Sequence, residues 1–113
     1  MPSFRATLAV LEAFPGVPPP RVLEAGRDGV RDSGWLVEDA FVDVTALASR
    51  RGAPRITIRF LVPGSNDASE DAGAWVVARA LATAVGRVAR WSDLRVFRRQ
   101  RGQWVLLEGP LDP

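Results

Sequence analysis

An α+β fold, with a mainly antiparallel sheet covered by helices on one face, follows from three features of the sequence. Arg55 to Val62 alternates apolar and polar residues along its whole length, as a half-buried strand does. Ser69 to Arg87 instead repeats apolar residues at helical spacing. Proline and glycine punctuate the chain between these and further strand-like runs. At 113 residues the chain is expected to form a single domain, 1–113, with 109–113 as a flexible tail, and 47% apolar residues supply a core.

The elements follow in order. Phe4 to Ala13 reads as a strand, because Phe4, Ala6, Leu8 and Val10 alternate with Arg5, Thr7 and Ala9. The stretch 14–20 is a loop rich in proline and glycine, and Pro20 suits a first helical position, where a missing N–H costs nothing. Arg21 to Arg31 is then a helix, although Gly26 and Gly29 oppose it by about 1 kcal/mol each relative to alanine. Gly34 stands where that helix should stop. Trp35 to Leu47 is a second strand region, 49–54 a turn, and Arg55 to Val62 the clearest strand. A second helix from about Ser69 to Arg87 buries Val77, Leu81, Ala84, Val85 and Val88, with Asp67 or Ser69 as its cap. Leu94 to Arg99 is a strand, 100–102 a hairpin turn, and Trp104 to Leu107 the return strand.

Strand, helix, strand, strand, helix, strand closes most naturally as a ferredoxin-like sandwich, here with an added C-terminal β-strand. Phe4, Leu8, Val10, Ile56, Ile58, Phe60 and Val62 would then face the helices. The opposite face would carry Arg5, Thr7, Arg55, Thr57 and Arg59, joined by Asp39, Phe41 and Asp43 from the second strand and Arg95, Phe97 and Arg99 from the fourth.

Composition removes whole classes of chemistry. There is no cysteine, histidine or tyrosine, and all 15 basic residues are arginine. Disulfides, thiolate nucleophiles and cysteine zinc sites are excluded, as are Ser–His and Ser–Lys pairs and a lysine-bearing phosphate loop. The bias toward alanine, valine, glycine, proline and arginine points to a GC-rich, bacterial gene. An isoelectric point near 10.9 reflects the lack of groups that titrate between carboxylates and guanidiniums; the net charge is only +2. No apolar run approaches the roughly 18 residues that span a bilayer, so a cytoplasmic protein with no membrane partner is expected. Nothing in the sequence marks a secretory signal.

Carboxylates are the remaining acid–base groups. Glu38 and Asp39 fall on opposite faces of a strand, while Asp39 and Asp43 share a face about 13 Å apart, too far to act as a pair. Neither a catalytic residue, a metal site nor a cofactor is indicated. The segment 65–71 lacks the alternating oxygen ligands and central glycine of a calcium loop and reads as helix capping.

Two surfaces remain for function. On the open face, Arg5, Phe41, Arg55, Arg59 and Phe97 are expected to contact a second copy of the chain or another protein, which makes the chain a non-enzymatic homodimer or assembly subunit. Near the C-terminus, Arg95, Arg98, Arg99 and Arg101, with Phe97, Trp91 and Trp104, could instead bind nucleic acid through phosphate contacts and base stacking. In architecture such a sheet resembles the RNA-recognition motif, but Arg55, Thr57 and Arg59 stand on the third strand where that family carries aromatics. A cofactor-independent enzyme or small-ligand binder built as a dimeric α+β barrel, with Glu38 or Asp39 as base, is the third reading.

Overall fold

The computed structural model describes residues 1–34, 36–43 and 53–108, with the backbone alone at 36 and 41–43. Its elements are β1 (Ser3–Ala13), α1 (Pro19–Asp32), β2 (Leu36–Asp43), β3 (Arg55–Leu61), α2 (Asp67–Gly86), β4 (Ala89–Gln100) and β5 (Gln103–Leu107). The α+β class is therefore found, with one five-stranded sheet in the order β2-β3-β1-β4-β5 and every neighbouring pair antiparallel. This order differs from the four-stranded ferredoxin-like pattern: β5 lies outside β4, because the turn at Arg101 and Gly102 folds the chain straight back onto the edge of β4. Trp35, 44–52 and 109–113 lie outside the described residues, and with them the expected ends of the second strand, most of the following turn and the tail.

Alternation in β1 and β3 does what period two requires. Phe4, Ala6 and Leu8 of β1 and Ile56, Ile58 and Phe60 of β3 are fully buried beneath the helices, and Val96 of β4 joins them. Facing them are Val22 and Val30 of α1 and Val77, Leu81 and Val85 of α2. The Phe4 and Phe60 rings stack at 6.0 Å between centroids.

The first helix forms in spite of its glycines. Pro19 and Pro20 occupy its first turn, where their missing N–H groups would have had no partner, and Arg31 suits the negative C-terminal end. Gly26 and Gly29 lie where α1 crosses α2. A Cβ at Gly29 would stand 2.4 Å from the Cβ of Ala84, and one at Gly26 would stand 2.8 Å from Leu81 Cδ1. The glycines thus permit a helix–helix approach that no larger residue allows. Gly34, with φ 92°, ends the helix as expected.

Two sequence expectations are corrected. Helix α2 starts at Asp67 rather than Ser69, and its cap is Asn66, whose side-chain oxygen accepts the Ser69 N–H at 2.9 Å. Asp67 is instead the first helical residue, after the extended backbone of Asn66, and its carboxylate lies 3.3 Å from Arg98. Strand β4 begins at Ala89, five residues before the expected start, since register shifts against β1 break the period-two signal without ending the strand. Trp91 is a β4 residue opposite Val10, and a Cβ on Gly86 would meet its indole nitrogen at 3.3 Å.

Among the described residues no helix is long and apolar enough to cross a membrane.

Candidate interaction face

Residues directly opposite one another in a sheet project to the same side. From the β1 registers, Arg5 shares a side with Arg59 and Phe97, and Thr7 with Thr57 and Arg95. The β4–β5 hairpin adds Trp104 opposite Arg99 and Leu106 opposite Phe97. On the other flank Asp39 lies opposite Arg59, position 41 opposite Thr57 and position 43 opposite Arg55. Arg5, Arg55, Arg59 and Phe97 are therefore brought together on the face away from the helices. Phe41 joins them by backbone register, its side chain lying outside what is described.

Trp104 organises this face. The Arg5 guanidinium carbon lies 4.3 Å from its ring centroid, and those of Arg59 and Arg99 lie 5.2 Å away. These distances are within the range in which the ring's negative face attracts a cation. A tryptophan on the edge strand thus reaches across β4 to the centre of the sheet. Beside it, Leu106 is 54% exposed.

Carboxylates hold several of the arginines in place. Arg59 Nε donates to Ser3 Oγ at 3.0 Å and to Glu38 Oε1 at 3.3 Å, and Ser3 Oγ donates to that same oxygen at 2.7 Å. Arg55 reaches over β1: its Nε donates to Thr7 Oγ1 at 3.1 Å and its Nη1 to Asp93 Oδ2 at 2.9 Å. Arg95 Nε donates to the other Asp93 oxygen at 3.0 Å. Burial pushes the Asp93 carboxyl up, but the hydrogen bonds from Arg95 and Arg55 outweigh it and hold the group below its ordinary value. Glu38 is occupied by Arg59 and Ser3, and Asp39 accepts the N–H of Ala40. Both carboxylates considered as bases thus have structural hydrogen bonds.

The arginines grouped near the C-terminus separate. Arg95 and Arg99 lie on the open face, and Arg101 is exposed at the hairpin tip with φ 49°. Arg98 points the other way, opposite Phe4, and runs under the N-terminus of α2. There it donates to Asp71 Oδ1 at 2.8 Å, to Asp67 Oδ1 at 3.3 Å and to Glu70, with its guanidinium over the Phe4 ring at 5.3 Å. Glu70 is buried, and it also accepts the Ser65 N–H at 2.7 Å. That backbone bond, followed by the one from Arg98, lowers the Glu70 pKa; the bond to Glu70 in turn raises that of Arg98. Arg98 therefore joins sheet to helix and is not available to a ligand of the hairpin.

Sequence reasoning placed Trp104 with the nucleic-acid candidates and not on the open face. The signal was present: a two-residue turn at Arg101 and Gly102 sets Gln100 against Gln103 and hence Arg99 against Trp104.

Comparison of the chain with protein-family models, curated proteins and solved structures gives no match.

Proposed function

We propose that the chain is a non-enzymatic assembly protein whose open sheet face docks a second copy of itself. The observation that carries this reading is the layer of Trp104, Leu106, Phe97 and arginines that no helix covers among the described residues. Tryptophan and arginine are the residue types most enriched at energetic centres of interfaces. Five strands about 4.8 Å apart and roughly eight residues long present about 600 Å² per copy, so two faces would bury about 1,200 Å², the lower end for a specific complex.

Charge distribution favours a second copy over an unrelated protein. Acidic Glu38 and Asp39 lie on β2, at one edge, and Arg95 and Arg99 on β4, toward the other. A two-fold axis parallel to the strands, between β1 and β3 of two facing sheets, lays β2 of each copy over β4 of the other. The face is then complementary to itself, as an isologous contact requires.

Light scattering coupled to sizing tests this. The expected result is a species of twice the 12.3 kDa chain mass at micromolar concentration. Trp104→Ala, Phe97→Ala and Phe41→Ala should each weaken association by more than about 1 kcal/mol. Asp39→Arg and Arg99→Asp should each dissociate the pair and together restore it. A monomer for the wild-type chain at about 100 μM would remove the reading.

Nucleic-acid binding is the second reading, favoured by the exposure of Arg95, Arg99 and Arg101 on the edge that carries Trp104. It loses Arg98 to the acids of α2. Its mark would be a binding constant that falls steeply with salt and is weakened by Arg99→Ala but not more strongly by Arg98→Ala.

A further inference from the structure

The open face is not flat. Between β1, β3 and β4 lies a half-open hollow of about 300 Å³, at the small end of the range of ligand sites. Its floor is Thr7 and Thr57, and Phe97 and Trp104 line it with aromatic surface. Arg5, Arg55 and Arg95 supply three cations. Among the described residues Asp93 is the carboxylate set against Arg55 and Arg95, and it bonds to both, so two guanidiniums share one carboxylate.

Hydrogen-bond capacity at the floor and rim remains unused. Thr7 Oγ1 accepts from Arg55 Nε at 3.1 Å and from the Thr57 hydroxyl at 3.4 Å. Either hydroxyl of this buried pair can donate to the other, so one hydroxyl hydrogen is left over at the floor and can reach an incoming oxygen. Arg95 uses its Nε on Asp93, which fixes the guanidinium plane; its two terminal nitrogens have no acceptor among the described residues. Their fork geometry matches a carboxylate.

We propose that this hollow binds a small organic acid carrying a flat ring. The carboxylate would be taken by the terminal nitrogens of Arg95, with Arg5 and the Thr7 hydroxyl nearby, and the ring would rest against Phe97 and Trp104. Aromatic walls distinguish this site from a simple phosphate cradle, and the cations distinguish it from an apolar pocket. Every residue in it comes from one copy of the chain, so the site does not depend on pairing. A second sheet packed on this face would set its own side chains against Phe97 and Trp104, so pairing and the ligand compete for the hollow.

The test follows the Trp104 indole N–H signal in a proton–nitrogen correlation spectrum of the full chain, assigned by its loss in Trp104→Phe, during titration with benzoate, benzamide and inorganic phosphate. Benzoate should move the signal saturably, with benzamide and phosphate at least about tenfold weaker. Arg95→Gln and Thr7→Val should each weaken benzoate severalfold, whereas Arg101→Gln should leave it unchanged. The titration is repeated on Asp39→Arg, in which a facing sheet would be removed. No saturable shift up to about 10 mM benzoate in either protein overturns the proposal, as does equal binding of benzamide. Phosphate binding as tightly as benzoate would overturn the ring-acid assignment.

Discussion

Arg55 holds Asp93 at two points: its Nη1 donates to the carboxylate at 2.9 Å and its Nη2 to the main-chain oxygen at 2.7 Å. Asp93 has φ 57°, a left-handed conformation uncommon outside glycine, at a register shift between β1 and β4. A strand two places away thus fixes the irregular point of β4 and, through it, the plane of Arg95.

Removing that grip should have a measurable cost. Arg55→Met keeps the apolar stem but leaves the Asp93 carbonyl without this donor and Thr7 with Thr57 alone, so unfolding free energy should fall by about 1–2 kcal/mol. Asp93→Asn, which tolerates the left-handed region, should cost less than Asp93→Val, whose branched side chain does not. Urea midpoints for the three variants check this ordering; equal losses for Asn and Val would show that the backbone at 93 is not what Arg55 secures.

How far the sequence disclosed this arrangement differs between elements. In β3, uninterrupted alternation separated Ile56, Ile58 and Phe60 from Arg55, Thr57 and Arg59, and the structure keeps that division. In β4 the same rule works beyond Arg95 but fails before it, because the left-handed residue at 93 resets the alternation. Period two sets Arg98 with Val96 on the face opposite Arg95, Phe97 and Arg99, yet composition groups Arg98 with the arginines of the hairpin. What composition could not show is that Asp67, Glu70 and Asp71, some 30 positions earlier, would close around it. In α1, propensity and packing oppose each other. Gly26 and Gly29 lower the intrinsic tendency to form a helix, yet the contact with α2 needs them small, and a propensity scale does not see the neighbouring helix.

Stability should respond to acid and hardly at all to mild base. Glu70 and Asp93 both have lowered pKa values in the folded chain, relative to ordinary values of 4.5 and 3.8. A carboxyl depressed by folding contributes stability that is fully present above its unfolded pKa and is lost as pH falls through its folded one. The sequence has no histidine, cysteine, tyrosine or lysine, so apart from the terminal amine no group titrates from near neutrality to strongly basic pH. The melting temperature should be nearly flat between about pH 6 and 10 and drop below about pH 4.5. In Arg98→Met it should be lower at neutral pH by roughly 5 °C or more, since Glu70 keeps its burial without its cation. The gap to wild type should narrow as acid neutralises Glu70. A gap that stays constant down to pH 2 would show that Arg98 acts through packing and not through that carboxylate.

The contact between the helices gives the sharpest structural test. Gly29→Ala improves helix propensity by about 1 kcal/mol, so a surface glycine would gain stability from it. Here the new methyl would stand 2.4 Å from the Cβ of Ala84, an atom tied to the α2 backbone that cannot swing aside. Overpacking of this kind costs about 1–3 kcal/mol, so the clash should win and the variant should be less stable than wild type. At Gly26 the nearest atom is the end of the Leu81 side chain, 2.8 Å away, and a rotamer change can relieve it; Gly26→Ala should be the milder change. Gly64→Ala meets nothing within 4 Å and serves as the control. Adding Ala84→Gly to Gly29→Ala restores the missing space and should recover part of the loss, beyond what the two single changes add up to. Thermal unfolding of wild type and these five variants, the single Ala84→Gly among them, decides the matter. Additive losses in the double variant would mean that positions 29 and 84 do not touch, and the approach of α1 to α2 described here would be wrong.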